Sequence, residues 1–180
     1  MIDLIYFETD RLRMRAFETK DLLDFKKMNE DPEVMEYFPK ILTHKETTAF
    51  YEAIMDEFQS YGYGLYAAEL KETGEFIGFI GFHHATFEAD FTPCVEIGWR
   101  LKKEVWGKGL ATEGAKACLE YAEENLQFEN VYSFTAEINT RSERIMQKIG
   151  LKKVKTFLHP KLELNDPLKP HVLYALKVGE

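Results

Sequence analysis

Cysteine is scarce in this chain of 180 residues: Cys94 and Cys118 are the only two. They are too few, and too apolar in context, for the disulfide framework of a small secreted domain. Long apolar runs are also missing. The longest uncharged stretch, residues 76–87, holds two histidines and is well short of the roughly 20 residues that a spanning helix needs. Basic charge is outweighed, 23 Lys and Arg against 31 Asp and Glu for a net charge of −8, so the basic face of a nucleic-acid binder is not expected. The opening MIDLIYFETDR has acidic residues where a secretory leader would be basic, and a cytoplasmic protein with no membrane partner is expected.

Absent motifs narrow the chemistry further. No Gly-x4-Gly-Lys-Ser/Thr phosphate loop occurs, and Thr112 stands where the dinucleotide pattern needs glycine. No G-x-S-x-G elbow is present, which removes the usual serine hydrolase. No H-x-x-x-H or C-x-x-C accompanies the histidines, and His83 and His84, adjacent in a strand, point to opposite faces. No metal site is expected.

What is present reads as one domain over residues 1–180, with 45% hydrophobic and 30% charged residues, ordinary for a globular protein. Within residues 4–17, Leu12, Met14 and Ala16 alternate with Arg11, Arg13 and Arg15, the period of a half-buried strand. Thr19 caps a helix reaching Met28, and Asp31-Pro32 opens a short one ending near Tyr37. Thr43 and Glu46 form a capping box ahead of a longer helix, with Phe50, Ile54, Met55 and Phe58 on one stripe. Residues 65–70 and 76–83 make a hairpin, residues 87–93 a loop, and a strand begins at Cys94. The helix from Gly109 has an apolar face fit to lie on a sheet. Strands follow at residues 131–138, 152–158 and 171–178, and Asn139 or Thr140 caps a short helix in which Glu143 completes a second capping box.

The stretch CVEIGWRLKKEVWGKGLATEG organises the rest. It runs from a strand through a turn, where Gly107 and Gly109 bracket Lys108, into a long helix. A helix start offers unpaired N–H groups and partial positive charge, and glycine lets an anion approach the main chain closely. This arrangement resembles the acetyl-CoA-binding core of the GNAT superfamily of N-acetyltransferases, whose signature R/Q-x-x-G-x-G/A appears here as Glu104-Val105-Trp106-Gly107-Lys108-Gly109 with the first position changed. Asn139, Ser142, Lys148, Gly150 and Leu151 are similar to its second motif, N-x-x-S/A-x5-K-x-G-F. LIYFETDRLRMRAF, DPEVMEYF and the closing HP…PLKPHVLYAL look like the ribosomal-protein N-terminal acetyltransferase branch, so the resemblance covers nearly the whole chain.

The resemblance implies a mixed α/β fold, a mostly antiparallel sheet of about seven strands with helices on both faces, and direct attack of an amine on acetyl-CoA. It implies main-chain contacts from Trp99, Arg100 and Leu101 to the pantetheine arm. Trp106, Gly107, Lys108, Gly109, Leu110, Ala111 and Thr112 would hold the pyrophosphate, with Lys108 either adding charge or simply solvated. Asn139 either bonds the pantetheine or caps its helix. Ser142 matches the branch's acid, where other branches use a tyrosine at the position of Met146; Tyr132 and Tyr174 are reserve donors.

Glu96, flanked by apolar residues in the strand, is the candidate base, or else pairs with an N-terminal arginine. The acceptor, a protein N-terminus or a small amine, would meet residues 31–38 and 160–170, with Glu33, Glu36, Glu163 and Asp166 supplying acidic character and His159, which can meet His171, shaping the pocket. A non-catalytic acyl-CoA sensor is the rival reading, and the chain is expected as monomer or homodimer.

Overall fold

Thr9 turns the chain where one strand was expected. The computed structural model describes residues 4–180; residues 1–3, which begin both the expected domain and the stretch read for a leader, lie outside them. Thr9 N–H donates to Leu12 O (2.9 Å), and Leu12 N–H returns a bond to Thr9 Oγ1 (2.9 Å). The local turn splits the segment into β1 (Ile5–Glu8) and β2 (Leu12–Arg15), antiparallel with Phe7 opposite Met14. The sheet therefore has eight strands rather than about seven, adding β3 (Leu65–Leu70), β4 (Phe76–Ala85), β5 (Cys94–Leu101), β6 (Asn130–Ala136), β7 (Lys152–Leu158) and β8 (Pro170–Lys177). Their order is β1-β2-β3-β4-β5-β6-β8-β7, antiparallel everywhere except β5–β6.

Four helices cover the sheet: α1 (Leu22–Glu30), α2 (His44–Tyr61), α3 (Leu110–Asn125) and α4 (Thr140–Lys148). The capping box of α2 forms as the sequence indicates, Glu46 N–H to Thr43 Oγ1 (3.1 Å) and Thr43 N–H to Glu46 Oε2 (2.8 Å). Ile54 is buried under it, but Met55 lies off the stripe and is exposed. Residues 32–37 are turns, not the expected helix. Asp31 accepts from Glu33 N–H (2.9 Å), and the turns tuck Val34 and Met35 into the core before Pro39 ends the segment.

Each face of the sheet has its own core. On one, α1 and α2 enclose Phe17, Phe25, Phe50, Phe76 and Phe79, whose rings pair at 5.2–6.1 Å between centroids. Such pairs add about 0.5–1.5 kcal/mol beyond their burial. On the other, Ala115, Cys118 and Ala122 of α3 and Met146 of α4 pack on Ile80 and Ile97. Both cysteines are free and buried, and burial pushes the Cys94 thiol up to about 11, away from nucleophilic chemistry.

One arginine of β2 is not solvated as its alternation suggests. Arg15 is 2% exposed, since residues 18–21 and α1 close over it. Its guanidinium grips Asp21 through two bonds (2.8 and 2.9 Å) and Glu69 through a third (2.7 Å). Burial alone would raise the Glu69 carboxyl, but the bonds from Arg15 and Arg13 bring it below the usual carboxylate range. Such a group strands its partners when one member is removed. Arg15→Met should therefore cost about 3–5 kcal/mol of unfolding free energy in urea melts at neutral pH. A cost under about 1 kcal/mol would show that the triad contributes nothing net.

Candidate active site

β5 and β6 meet at a single register position, Glu96 opposite Tyr132, and part beyond it. The direction of the freed groups follows from the ladder on the other side. Lys102 N–H bonds Ile77 O (2.9 Å), and the alternation of an antiparallel pair then points the main-chain groups of Arg100 and Gly98 at β4. Those of Ile97, Trp99 and Leu101 point toward β6. Ser133 Oγ donates to Ile97 O (2.8 Å) just where the strands separate, which closes the paired part. Leu101 O is taken by the Trp106 indole N–H (2.9 Å). Trp99 and the Leu101 N–H thus face the gap, whereas the main chain of Arg100, expected there too, is committed to β4.

A cleft of about 470 Å³ runs through this gap and is lined from both faces of the sheet. Trp99, Arg100, Leu101, Trp106, Ala111 and Asn139 line it, as do Ser142 and Glu96. Gly107, Lys108, Gly109, Leu110 and Thr112 do not; they form the turn beside Trp106 and Ala111. Gly107 (φ 74°) and Gly109 (φ 75°) are both left-handed, a conformation that costs side-chain-bearing residues energy. Gly109 caps α3 with no side-chain bond, so the first amides of that helix remain an anion site. Leu110 is buried in the core and can offer only its amide; Lys108 is exposed. Arg11 pins the turn, donating to Lys108 O (2.9 Å) while its other nitrogens grip Glu113 in the first turn of α3.

Sequence reasoning did not single out Arg141, whose guanidinium lies over the Trp106 ring (4.2 Å) and lines the cleft. Its one signal was its place between Asn139 and Ser142 in the second motif.

Asn139 caps α4, accepting from Ser142 N–H (3.3 Å), while its amide donates to Thr135 Oγ1 (3.1 Å). Helix α4 starts one residue earlier than a Thr140 cap would require. Glu143 consequently completes no capping box; it accepts from Tyr174 OH (2.7 Å). Tyr174 is thereby occupied, and neither it nor Tyr132 lines the cleft. Ser142 accepts from the Trp99 indole N–H (3.2 Å). Indole only donates, so this bond uses a lone pair of Oγ and leaves the serine proton available.

Glu96, Gly98 and Arg100 share the opposite face of β5, and Glu96 sits across from His83. Burial dominates at Glu96 and pushes its carboxyl up to about 7; His83 opposes the shift and Glu57 adds to it. The N-terminal arginines are held elsewhere, by Glu113, Glu69, Glu8 and Asp21, so the expected alternative of an arginine pair for Glu96 does not form. Glu57 of α2 accepts from His83 Nδ1 (2.9 Å) and from the His84 main chain. That bond raises His83 against the effect of burial. This carboxylate–histidine pair was invisible in the sequence because β4–β5 register and α2 packing create it.

Glu33, Glu36, Tyr37 and Phe38 also line the cleft, as do Lys161 and Leu162. Glu163 and Asp166 do not line it. Glu33 is held by Lys103 (3.1 Å). His159 and His171 do meet, their rings 4.9 Å apart among Phe87, Phe134 and Phe157. Burial and neighbouring cations lower His159 to about 4, and burial lowers His171, so both are neutral at physiological pH. Among the described residues no third His, Cys, Asp or Glu joins them in a metal-sized group.

The family model described as "Acetyltransferase (GNAT) domain" matches residues 11–152. The chain is 34% identical over 149 residues to an uncharacterized Bacillus subtilis (strain 168) protein, YkkB, covering 82% of this chain and 86% of that one. It is 32% identical over 143 residues to the FsC-acetyl coenzyme A-N(2)-transacetylase of Aspergillus fumigatus, covering 74% of this chain and 59% of the relative. Its fold is similar to the crystal structure of a GNAT-family acetyltransferase from Bacillus anthracis, with a TM-score of 0.79, 26% identity, and coverage of 96% and 98% of the two chains. The parted strands, the glycine turn and these likenesses agree: this chain belongs to the GNAT family of acetyltransferases.

Proposed function

We propose that this chain transfers the acetyl group of acetyl-CoA to a primary amine, and that residues 1–180 form one such domain. The observation that carries the reading is the gap beside β5. It is lined by Trp106 and Ala111, beside the glycine-capped start of α3, and by Glu96 and Ser142. Trp99 and the Leu101 N–H would hold the pantetheine arm as a missing strand would be held, and the amides opening α3 the pyrophosphate, with Arg141 adding charge. When bound, acetyl-CoA supplies an activated acyl carbon and a thiolate leaving group.

The protein supplies the proton transfers and the positioning. Glu96, near 7, is half ionised at neutral pH and can take the proton of an ammonium, directly or through one water, to leave a nucleophilic amine. Ser142, its lone pair held by Trp99, can give its proton to the departing sulfur. Gly98 lies between Glu96 and Arg100 with no side chain, leaving room for the acceptor. The N-terminal motifs and a serine rather than tyrosine donor support the ribosomal-protein branch.

Release of free thiol from acetyl-CoA over a panel of amines tests the reading; tight CoA binding with no thiol release from any amine would make the chain a sensor instead. Two substitutions probe the turn. Asn and Asp both tolerate the left-handed conformation, but only Asp adds charge, so Gly109→Asp should weaken CoA by about tenfold more than Gly109→Asn. Equal affinities would remove the pyrophosphate from this turn. Ser142→Ala should lower kcat by about tenfold to a hundredfold, a loss that grows less severe with acyl donors of better leaving groups.

Glu96→Gln should lower kcat/KM by about a hundredfold or more and abolish a rise in rate through about pH 7. Its stability effect has the opposite sign. The folded carboxyl near 7 keeps a proton that the unfolded one, near 4.5, releases; native stability therefore falls as pH rises between them. The full loss is at most about 3–4 kcal/mol. Glu96→Gln should accordingly be more stable than the native chain at pH 8 and similar at pH 4 in paired thermal melts.

A further inference from the structure

Arg100 lines the cleft on the Glu96 face without an anion of its own. Its Nη1 donates to the neutral Asn29 Oδ1 (2.9 Å), and its Nε is buried without a partner. Lys103 is neutralised by Asp31 and Glu33 and Arg15 by Asp21 and Glu69, while Lys161, also in the cleft lining, lies close enough to His83 and His159 to push both toward the neutral form. Around Arg100 stand rings instead, Phe38 at 4.2 Å, Phe79 at 5.2 Å and Phe50 at 5.6 Å from the guanidinium carbon. Burial alone acts on it, lowering its pKa to about 10. Aromatic faces offset part of the cost of desolvating a guanidinium, but they do not satisfy its N–H groups. A half-buried cation with an unsatisfied N–H calls for an explanation, and a ligand's anion would supply one.

Its position says which ligand. Arg100 and Glu96 project from the same face of β5, four residues or about 13 Å apart along the strand, with Gly98 between them. Phe38, which covers the guanidinium, is itself 38% exposed and lines the same cleft. A molecule lying along this face would meet a proton acceptor at one end and a bidentate donor at the other.

Building on the acetyl-transfer reading, we infer that the acceptor is a small aminocarboxylate, its amine at Glu96 and its carboxylate, several bonds away, on Arg100. Arg100 is then a specificity residue through its side chain. The planar fork of guanidinium suits a carboxylate and repels a second ammonium, so diamines are disfavoured even though Glu33 and Glu36 stand on the rim.

The test compares matched pairs by calorimetric titration into the full chain saturated with CoA: aminocaproate against hexamethylenediamine, and γ-aminobutyrate against putrescine. The aminocarboxylate of at least one pair should bind about tenfold or more tighter than its diamine. Arg100→Gln should erase that preference, and Arg100→Lys should keep part of it. Diamines binding as well as or better than both aminocarboxylates would overturn the inference, as would an Arg100→Gln variant that retains the preference. If Arg100→Gln does not fold, the comparison on the native chain still decides.

Thiol release from acetyl-CoA, run on the same panel, separates the two readings. Selective binding without turnover keeps the carboxylate subsite and removes acetyl transfer; turnover confined to diamines keeps transfer and removes the subsite.

Discussion

The parting of β5 from β6 is the constraint on which the rest of this structure depends. A sheet that stayed paired past Glu96 would have no cleft, and the faces covered by α1–α2 and by α3–α4 would be sealed from one another. Parting leaves main-chain groups of Trp99 and Leu101 without strand partners, a cost the fold accepts because the site is open to solvent or a ligand. The surrounding elements make the gap stable. Ser133 ties off its closed end on Ile97 O, the Trp106 indole takes Leu101 O, and α4 holds Trp99 through Ser142. Arg11 meanwhile locks the glycine turn to the first turn of α3.

Charge is distributed with equal economy across the two faces. Where ions serve the fold they are paired and bidentate, as with Arg15, Asp21 and Glu69. Inside the cleft, Glu96 and Arg100 are half-buried with no ionic partner, and desolvation moves both toward neutrality. Uncompensated groups of this kind concentrate where a protein binds or reacts rather than where it is merely held together. Stability is lower for keeping them, and that loss is confined to one strand.

Much of this was legible in the sequence, for reasons that can be named. The capping box at Thr43 and Glu46, the apolar face of α3 and the β3–β4 hairpin are local patterns, written within a few residues of where they act. The glycine turn was legible because left-handed backbone at Gly107 and Gly109 demands a particular residue. What escaped was set by register and by contacts far apart in the chain. Arg15 sits on an alternating strand whose polar face happens to be covered, and Arg100 was read through its main chain because nothing local shows that this faces β4. The Glu57–His83 pair joins residues 26 apart, and it exists only because α2 crosses β4. Residues 32–37 failed as a helix since their backbone bonds serve to seat Val34 and Met35.

The open side of β5 has a further consequence. Its unpaired groups make it, in effect, an edge strand located in the middle of a sheet, and edge strands invite pairing with other chains. Most edges are blunted by charge or proline; this one lies inside a cleft whose lining includes Ile145 and Phe134. A ligand that lies along it serves as the missing strand and, by binding only the native form, deepens the native basin in proportion to its concentration. The stability of this chain would then follow the supply of whatever ligand lies along β5.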